Sequence, residues 1–312
     1  MKRVDAIVAG EIYVDLILSG FDFWPRPGAE AFASDYHREV GGGASITACG
    51  LAKLGSRASL FGIVGSEWGA WVVERLNRNG VETGAVKHSP DEPTGFSVAL
   101  SGPEDRAFVT YAGANREFPA AFAEAALDGH FADGQHVHVA WCPPLDGAVD
   151  LFESLRRSGC SISLDVGWHE MWLRDPRALA LLRHVDVFFP NETEAQAMTG
   201  AHDPESALAC FRDAGARGVA LKLGAAGAAL LCDGRVSRAP AHPVNPVDTT
   251  GAGDCFDAGF LHYWLRGAPA EMCLRAANVC GGLSTEAHGG LGGFPTAARL
   301  AQILEAPCEK SV

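Results

Sequence analysis

The segment Asp248-Thr249-Thr250-Gly251-Ala252-Gly253-Asp254 places three small residues and then a carboxylate at the start of a helix-like run. In that run Phe256, Phe260, Leu261, Trp264 and Leu265 share one helical face. Gly251, Ala252 and Gly253 would then form the mouth of a helix, where unpaired N–H groups and the positive end of the dipole attract an anion such as a phosphate. A carboxylate beside a phosphate cradle gains nothing from the anion itself. It gains a role if Asp254 takes the proton of a hydroxyl that attacks that phosphate. The plainer alternative is an N-capping Asp after a Gly turn.

Four other clusters could contribute to such a site. Asp15 follows the strand-like 6–10 segment, at the end of a parallel strand where ligands bind in open sheets, and a carboxylate there can accept hydrogen bonds from two vicinal hydroxyls. Gly41-Gly42-Gly43-Ala44-Ser45 precedes a helix and lets backbone approach a ligand; taken alone it is a flexible turn. Asn191-Glu192-Thr193-Glu194 reads as a capped helix start, or as oxygen donors near a cation. Lys222-Leu223-Gly224-Ala225-Ala226-Gly227 closes a strand, either as a hairpin turn with a solvated Lys or as a phosphate contact.

The elements that must position these residues alternate between strand-like and helix-like, the pattern of a parallel α/β sheet. Strands are expected at 6–10, 58–64, 137–141, 161–165, 185–189, 218–223 and 228–232. Helices are expected at 45–54, 71–79, 145–157, 176–182, 192–198, 204–214, 270–285 and 297–304. Residues 13–40 hold Pro25-Arg26-Pro27-Gly28 and cannot be a core helix, and 95–112 read as a hairpin turning at Ser101-Gly102-Pro103-Glu104-Asp105. Together these two regions would make a small sheet over the core. The expectation is one α/β domain over 1–312, with a discontinuous β lid from about 13–40 and 95–112.

The 312 residues are 47% hydrophobic and 20% charged, enough for a large core, and the net charge of -13 argues against nucleic acid or an anionic membrane as partner. Nine cysteines without a Cys-x-x-Cys pair suggest reduced thiols. No apolar stretch reaches the ~18–20 residues of a membrane span, so a cytoplasmic protein is expected. His136-Val137-His138 lacks a third ligand for zinc, and Trp168-His169-Glu170-Met171-Trp172 is expected to cover the core edge. Neither a Walker A string nor a Gly-x-Gly-x-x-Gly after the first strand is present.

The 248–261 string resembles the second signature of the ribokinase-like (PfkB) carbohydrate kinases, and the family's other landmarks follow in order over nearly the whole chain. The resemblance implies a Rossmann-like core, a mostly parallel sheet flanked by helices with a small β lid. It also implies ATP-dependent phosphorylation of a hydroxyl on a sugar, nucleoside or similar molecule. Asp254 would be the general base and Gly251, Ala252 and Gly253 the anion hole. Asp15, Gly42, Gly43 and Ser45 would hold the acceptor. Asn191, Lys222, Gly224, Gly227 and Asn278 would bind ATP, and Glu194 would organise Mg²⁺ through water. Asp248 and Thr250, with the 284–293 backbone, resemble a loop pair that binds a monovalent cation such as K⁺, although His288-Gly289-Gly290-Leu291-Gly292-Gly293 is not its commonest form. The lid could also form a homodimer. One departure is clear: Ile46 stands where the first signature carries an Asn that contacts substrate hydroxyls, which leaves Ser45 and Thr47 as nearby replacements. A nucleoside acceptor, or a sensor that binds sugar or nucleotide without turnover, are the rival expectations.

Overall fold

The computed structural model describes residues 3–102 and 106–306. The chain runs β1 (Val4–Gly10), β2 (Tyr13–Phe21), β3 (Ala33–Gly41), α1 (Gly43–Lys53), β4 (Ala58–Phe61), β5 (Ile63–Val64), α2 (Gly69–Arg78), β6 (Lys87–His88), β7 (Gly95–Ser101) and β8 (Arg106–Tyr111). There follow α3 (Phe118–Leu127), β9 (Gly134–Ala140), α4 (Ala148–Arg157), β10 (Ser161–Asp165), α5 (Glu170–Leu173), α6 (Pro176–Leu181), β11 (Val187–Phe188) and α7 (Glu192–Thr199). The last third holds α8 (Pro204–Asp213), β12 (Gly218–Lys222), β13 (Ala228–Cys232), β14 (Arg235–Ala239), α9 (Ala252–Trp264), α10 (Ala270–Ser284) and α11 (Ala297–Glu305).

Eight strands form the main sheet in the order β14-β13-β12-β11-β10-β9-β1-β4. The run from β4 to β12 is parallel, and β13 and β14 add an antiparallel edge. Alternation along a strand sends side chains to opposite faces. Ala6 and Val8 of β1 enter one apolar cluster with α1, α9 and α10, while Val4, Ile7 and Ala9 enter the other with α3 and α4. A second sheet, in the order β3-β2-β7-β8, is built from the two segments that broke the α/β alternation. β7 and β8 are the antiparallel hairpin expected there, and the expected turn at Pro103–Asp105 lies outside the described residues.

Three differences from the sequence expectation have local causes. The strand expected at 58–64 divides at Gly62, because β4 pairs with β1 whereas β5 pairs with β6. A Cβ at Gly62 would lie 2.6 Å from the Ile12 side chain, so the chain passes too close there to carry one. β14 and α3 were not anticipated: β14 is a five-residue edge strand, mostly polar and exposed, with no period-two pattern, and α3 is Ala-rich with no polar face to set its period. Asp15 stands third in β2 rather than in a turn after β1, because the chain turns through Glu11 and Ile12 alone.

A polar ladder crosses this otherwise apolar core. His136 and His138 of β9 are fully buried on the α9 face. His136 lies against Ser161 (2.9 Å, Nδ1) and Ser163 (2.7 Å, Nε2), and His138 Nδ1 lies 2.7 Å from the same Ser163 hydroxyl. One hydroxyl between two ring nitrogens can donate to one and accept from the other, so His136 is satisfied at both nitrogens and His138 at Nδ1 while both rings are neutral. Burial lowers both, His138 to about 4 and His136 well below the usual histidine value. The sign follows. The unfolded chain binds these protons from about pH 6.5 downward and the native state refuses them, so the stability is intact above that pH and is lost as the pH falls toward 4. For His138 the difference amounts to about 3 kcal/mol. The melting temperature of the protein should therefore fall more steeply between pH 6.5 and 4.5 than that of a His138→Asn variant. Parallel slopes would rule out a neutral imidazole at this position.

Candidate active site

The C-terminal ends of β1, β9, β10 and β12 meet the first turns of α1 and α9. Gly10 ends β1 so tightly that a Cβ there would lie 2.3 Å from the Ala140 carbonyl oxygen and 2.9 Å from Ala44 Cβ. This contact draws α1 onto the strand ends. Gly42, at φ 86°, caps α1, and Gly43 begins it. A Cβ on Gly43 would lie 2.7 Å from Asp254 Oδ1, so only glycine lets the two helix mouths close on that carboxylate.

Asp254 is the third residue of α9. The cap is Gly251, in the left-handed region at φ 72° and without a side chain to satisfy the first turn. Asp254 is therefore not an N-cap, which removes the plainer alternative for that residue. The N–H of Ala252 makes a 3.3 Å turn bond to the Thr249 carbonyl. The N–H groups of Gly251 and Gly253 have no backbone partner among the described residues. Burial pushes the Asp254 carboxyl up to about 7; Asp165 adds to this, Lys222 opposes it, and Asp15 and Glu194 add smaller increments. Thr47 of α1 donates to the Asp254 carbonyl oxygen (3.2 Å), which leaves its hydroxyl engaged within the protein.

Asp15 of β2 faces the same space. A Cβ on Gly41 would fall 2.2 Å from its carboxyl, so the side chain lies directly over the end of β3. Burial, with Asp248 second, raises it to about 6. Glu11 accepts from the Tyr13 hydroxyl at 2.8 Å and is also raised by burial. Ser45 is 1% exposed and its hydroxyl has no hydrogen-bond partner. Ile46 is buried too: its Cδ1 lies 2.8 Å from the Cβ positions of both Gly251 and Gly290.

Asp248 ties the loops together. Its Oδ1 accepts from the Thr250 N–H (2.9 Å) and hydroxyl (2.7 Å), and its Oδ2 accepts from the Gly289 N–H (2.9 Å). Asn191 and Glu194 form a complete capping box on α7: each side chain accepts from the other's N–H at 2.9 Å. Burial, then Asp165, raises Glu194. Gly224 and Gly227 turn β12 into β13 at φ 53° and 94°, and a Cβ on Gly227 would strike the Ala239 carbonyl at 2.1 Å. Asn278 donates to the carbonyls of Ala239 (3.1 Å) and Pro240 (2.9 Å), which places it beside that turn, clipping the end of β14.

Lys222 is not a solvated turn residue. Its Nζ lies 2.6 Å from Asp165 Oδ2 and 3.4 Å from Asp257 Oδ1. Burial alone would lower the ammonium, but Asp165, Asp257 and Glu194 outweigh it and raise it above the usual lysine range. Burial works to raise Asp165, yet Lys222 and hydrogen bonds hold it down at about 2. Asp257, one turn beyond Asp254, is fully buried and raised well above the carboxylate range by burial. Sequence analysis did not single out Asp165 or Asp257. The signal for Asp257 was an acid inside an otherwise apolar helix; Asp165 ended an expected strand and looked like any strand terminus.

Residues 5–297 match the model of the pfkB family carbohydrate kinases. The chain is 30% identical over 294 residues to 2-dehydro-3-deoxygluconokinase of Bacillus subtilis, covering 88% of this chain and 89% of that protein. It is 25% identical over 310 residues to ribokinase of Haemophilus influenzae, covering 97% and 99%. The Arabidopsis thaliana ribokinase solved with ribose and ATP superposes with a TM-score of 0.85 at 26% identity, over 97% of this chain and 99% of that one. The α9 mouth with its carboxylate, the mostly parallel sheet with its smaller second sheet and these matches agree: the chain is a member of the pfkB family of carbohydrate kinases.

Proposed function

We propose that this carbohydrate kinase transfers the terminal phosphate of MgATP to a hydroxyl of a small sugar or sugar-derived acceptor, with Asp254 as general base. The observation that carries the proposal is the meeting of α1 and α9 at Asp254, with Asp15 on one side and uncapped N–H groups on the other. Asp15 and the backbone of Gly42 and Gly43 hold the acceptor. Asp254 takes the hydroxyl proton as the acceptor oxygen bonds to the terminal phosphorus. The bond from that phosphorus to the bridging oxygen breaks, and ADP keeps the electron pair. The N–H groups of Gly251, Ala252 and Gly253 stabilise charge on the moving phosphoryl group.

The nucleotide lies toward the Gly224–Gly227 turn and Asn278, which share the end of β14. Mg²⁺ fits the oxygen donors here: it keeps several waters and needs one or two carboxylates, which Glu194 supplies through water. When bound, Mg²⁺ neutralises phosphate charge. Asp248 and Thr250 beside the 288–293 loop offer oxygen to a monovalent cation, and the four-stranded sheet acts as a lid that keeps water from the phosphate.

The test is ADP release with MgATP and a panel of ketoses, aldoses, sugar acids and nucleosides, with and without potassium. Asp254→Asn should lower kcat by about 10²–10⁴-fold while the Kd for ATP stays within about threefold. Unchanged turnover would remove Asp254 from the mechanism. Because the native carboxyl is raised, its contribution to stability is lost as the pH rises through about 7, so Asp254→Asn should melt higher than the native protein at pH 8. By the same raised value, kcat/KM should climb with pH through about 7. Gly43→Ala puts a methyl group against the base and should lower kcat roughly 100-fold without unfolding the protein; retained turnover would show that the helix mouths are not packed this closely during catalysis.

A further inference from the structure

Lys222, at the end of β12, is paired inside the protein rather than open to solvent. Its side chain is 14% exposed and its ammonium is held by Asp165 of β10 and Asp257 of α9. From that position it approaches the phosphate loop from underneath: a Cβ on Gly253 would lie 3.3 Å from Lys222 Nζ. The clamp is itself braced. Asp257 Oδ2 faces His138 Nε2 at 3.8 Å, and neither atom has a hydrogen-bond partner, so the far end of the histidine ladder closes on the carboxylate that holds the lysine. β12 is tied in as well, by a bridge between Lys222 and Asn191 at the α7 cap.

We propose that Lys222 is a positioning residue for phosphoryl transfer, fixed beneath Gly253 by Asp165 and Asp257, which acts on the anion loop and on Asp254 without touching the nucleotide. A cation under the first turn of α9 reinforces the field that the N–H groups present to the phosphoryl group. It also acts on the base. The charged groups that face Asp254 are Asp15 from β2, Asp165 from β10, Glu194 from α7 and Lys222 from β12, with Asp257 one turn along α9 itself. Four of these are acids, and α1 brings only Thr47 and Gly43. Lys222 is the cation that opposes them among the described residues, so it keeps Asp254 ionisable near neutral pH. Without it, the acids would hold the base protonated to a higher pH.

The inference rests on Asp254 as the base, and the test separates the two claims. In Lys222→Met, kcat should fall roughly 100-fold while the Kd for ATP changes by less than about threefold. The acid limb of kcat/KM should move up by roughly one pH unit, since a nearby opposite charge lowers a carboxyl by that order. Lys222→Arg should leave the limb in place. A Kd for ATP that rises tenfold or more beside an unmoved limb would make Lys222 a direct nucleotide ligand and overturn the proposal. A lower melting temperature alone, with limb and kcat unmoved, would overturn it in favour of a structural pair. If Lys222→Met does not fold, Lys222→Met with Asp165→Asn removes cation and anion together. Reduced turnover with the limb at or below its native position upholds the proposal; native turnover overturns it. An Asp254→Asn enzyme that keeps turnover overturns the base assignment and this inference with it. An inactive Asp254→Asn enzyme beside an unmoved limb in Lys222→Met overturns this inference alone.

Discussion

Two helix mouths share one carboxylate, and the rest of the site follows from that constraint. The positive ends of α1 and α9 approach each other closely enough that only glycine fits at 43, and the group between them is Asp254. Helix ends favour an ionised acid. Burial and the neighbouring carboxylates favour a neutral one, and they prevail, raising Asp254 to about 7. A carboxylate fixed by helix dipoles alone would be a weak base at neutral pH. One buried among acids with no opposing charge would stay protonated. On the proposed mechanism, the value near neutrality that suits a base comes from burial and the neighbouring acids, offset in part by Lys222.

That balance explains how a chain with a formal charge of -13 can present a site for an anionic cosubstrate. The anion loop is built from backbone, not from basic side chains: Gly251 caps α9 without a side chain to occupy its donors. The lysine beneath is matched by Asp165 and Asp257. On the proposed mechanism its field then acts over a short range on the first turn of α9 and on Asp254, while the chain as a whole remains acidic.

How much of this could be read from the sequence varies with the physics of each residue. The parallel sheet and most helices were legible because period and Gly punctuation report local geometry. Asp254, Asp15 and Gly43 were legible as a group because their motifs fix backbone shape. The structure brings them together around one cleft. β14 was not, since a short, mostly polar and exposed edge strand resembles a loop. Lys222 was singled out as a phosphate contact, but its partners were not legible, since they lie 35 and 57 residues away on α9 and β10. The link of the histidine ladder to Asp257 was not legible either, since it depends on the register of β9 against β10 and on α9 packing over both, neither of which is encoded locally.

Ile46 shows the limit from the other side. In the sequence it looks like a lost polar contact to the acceptor. In the fold its side chain is wedged against Gly251 and Gly290, which joins α1 to the cap of α9 and to the loop that Asp248 holds through Gly289. An apolar residue fits that place because it buries surface between two backbones that carry no side chains of their own. Of the two neighbouring hydroxyls, Ser45 is buried without a hydrogen-bond partner and Thr47 donates to the Asp254 carbonyl. On the proposed mechanism, recognition of the acceptor then passes to Asp15 on the four-stranded sheet and to the backbone of Gly42 and Gly43. A carboxylate accepts hydrogen bonds and donates none. Such a site selects its acceptor by the placement of hydroxyl donors, and the Ile46 substitution shifts that choice from α1 to the sheet that covers it.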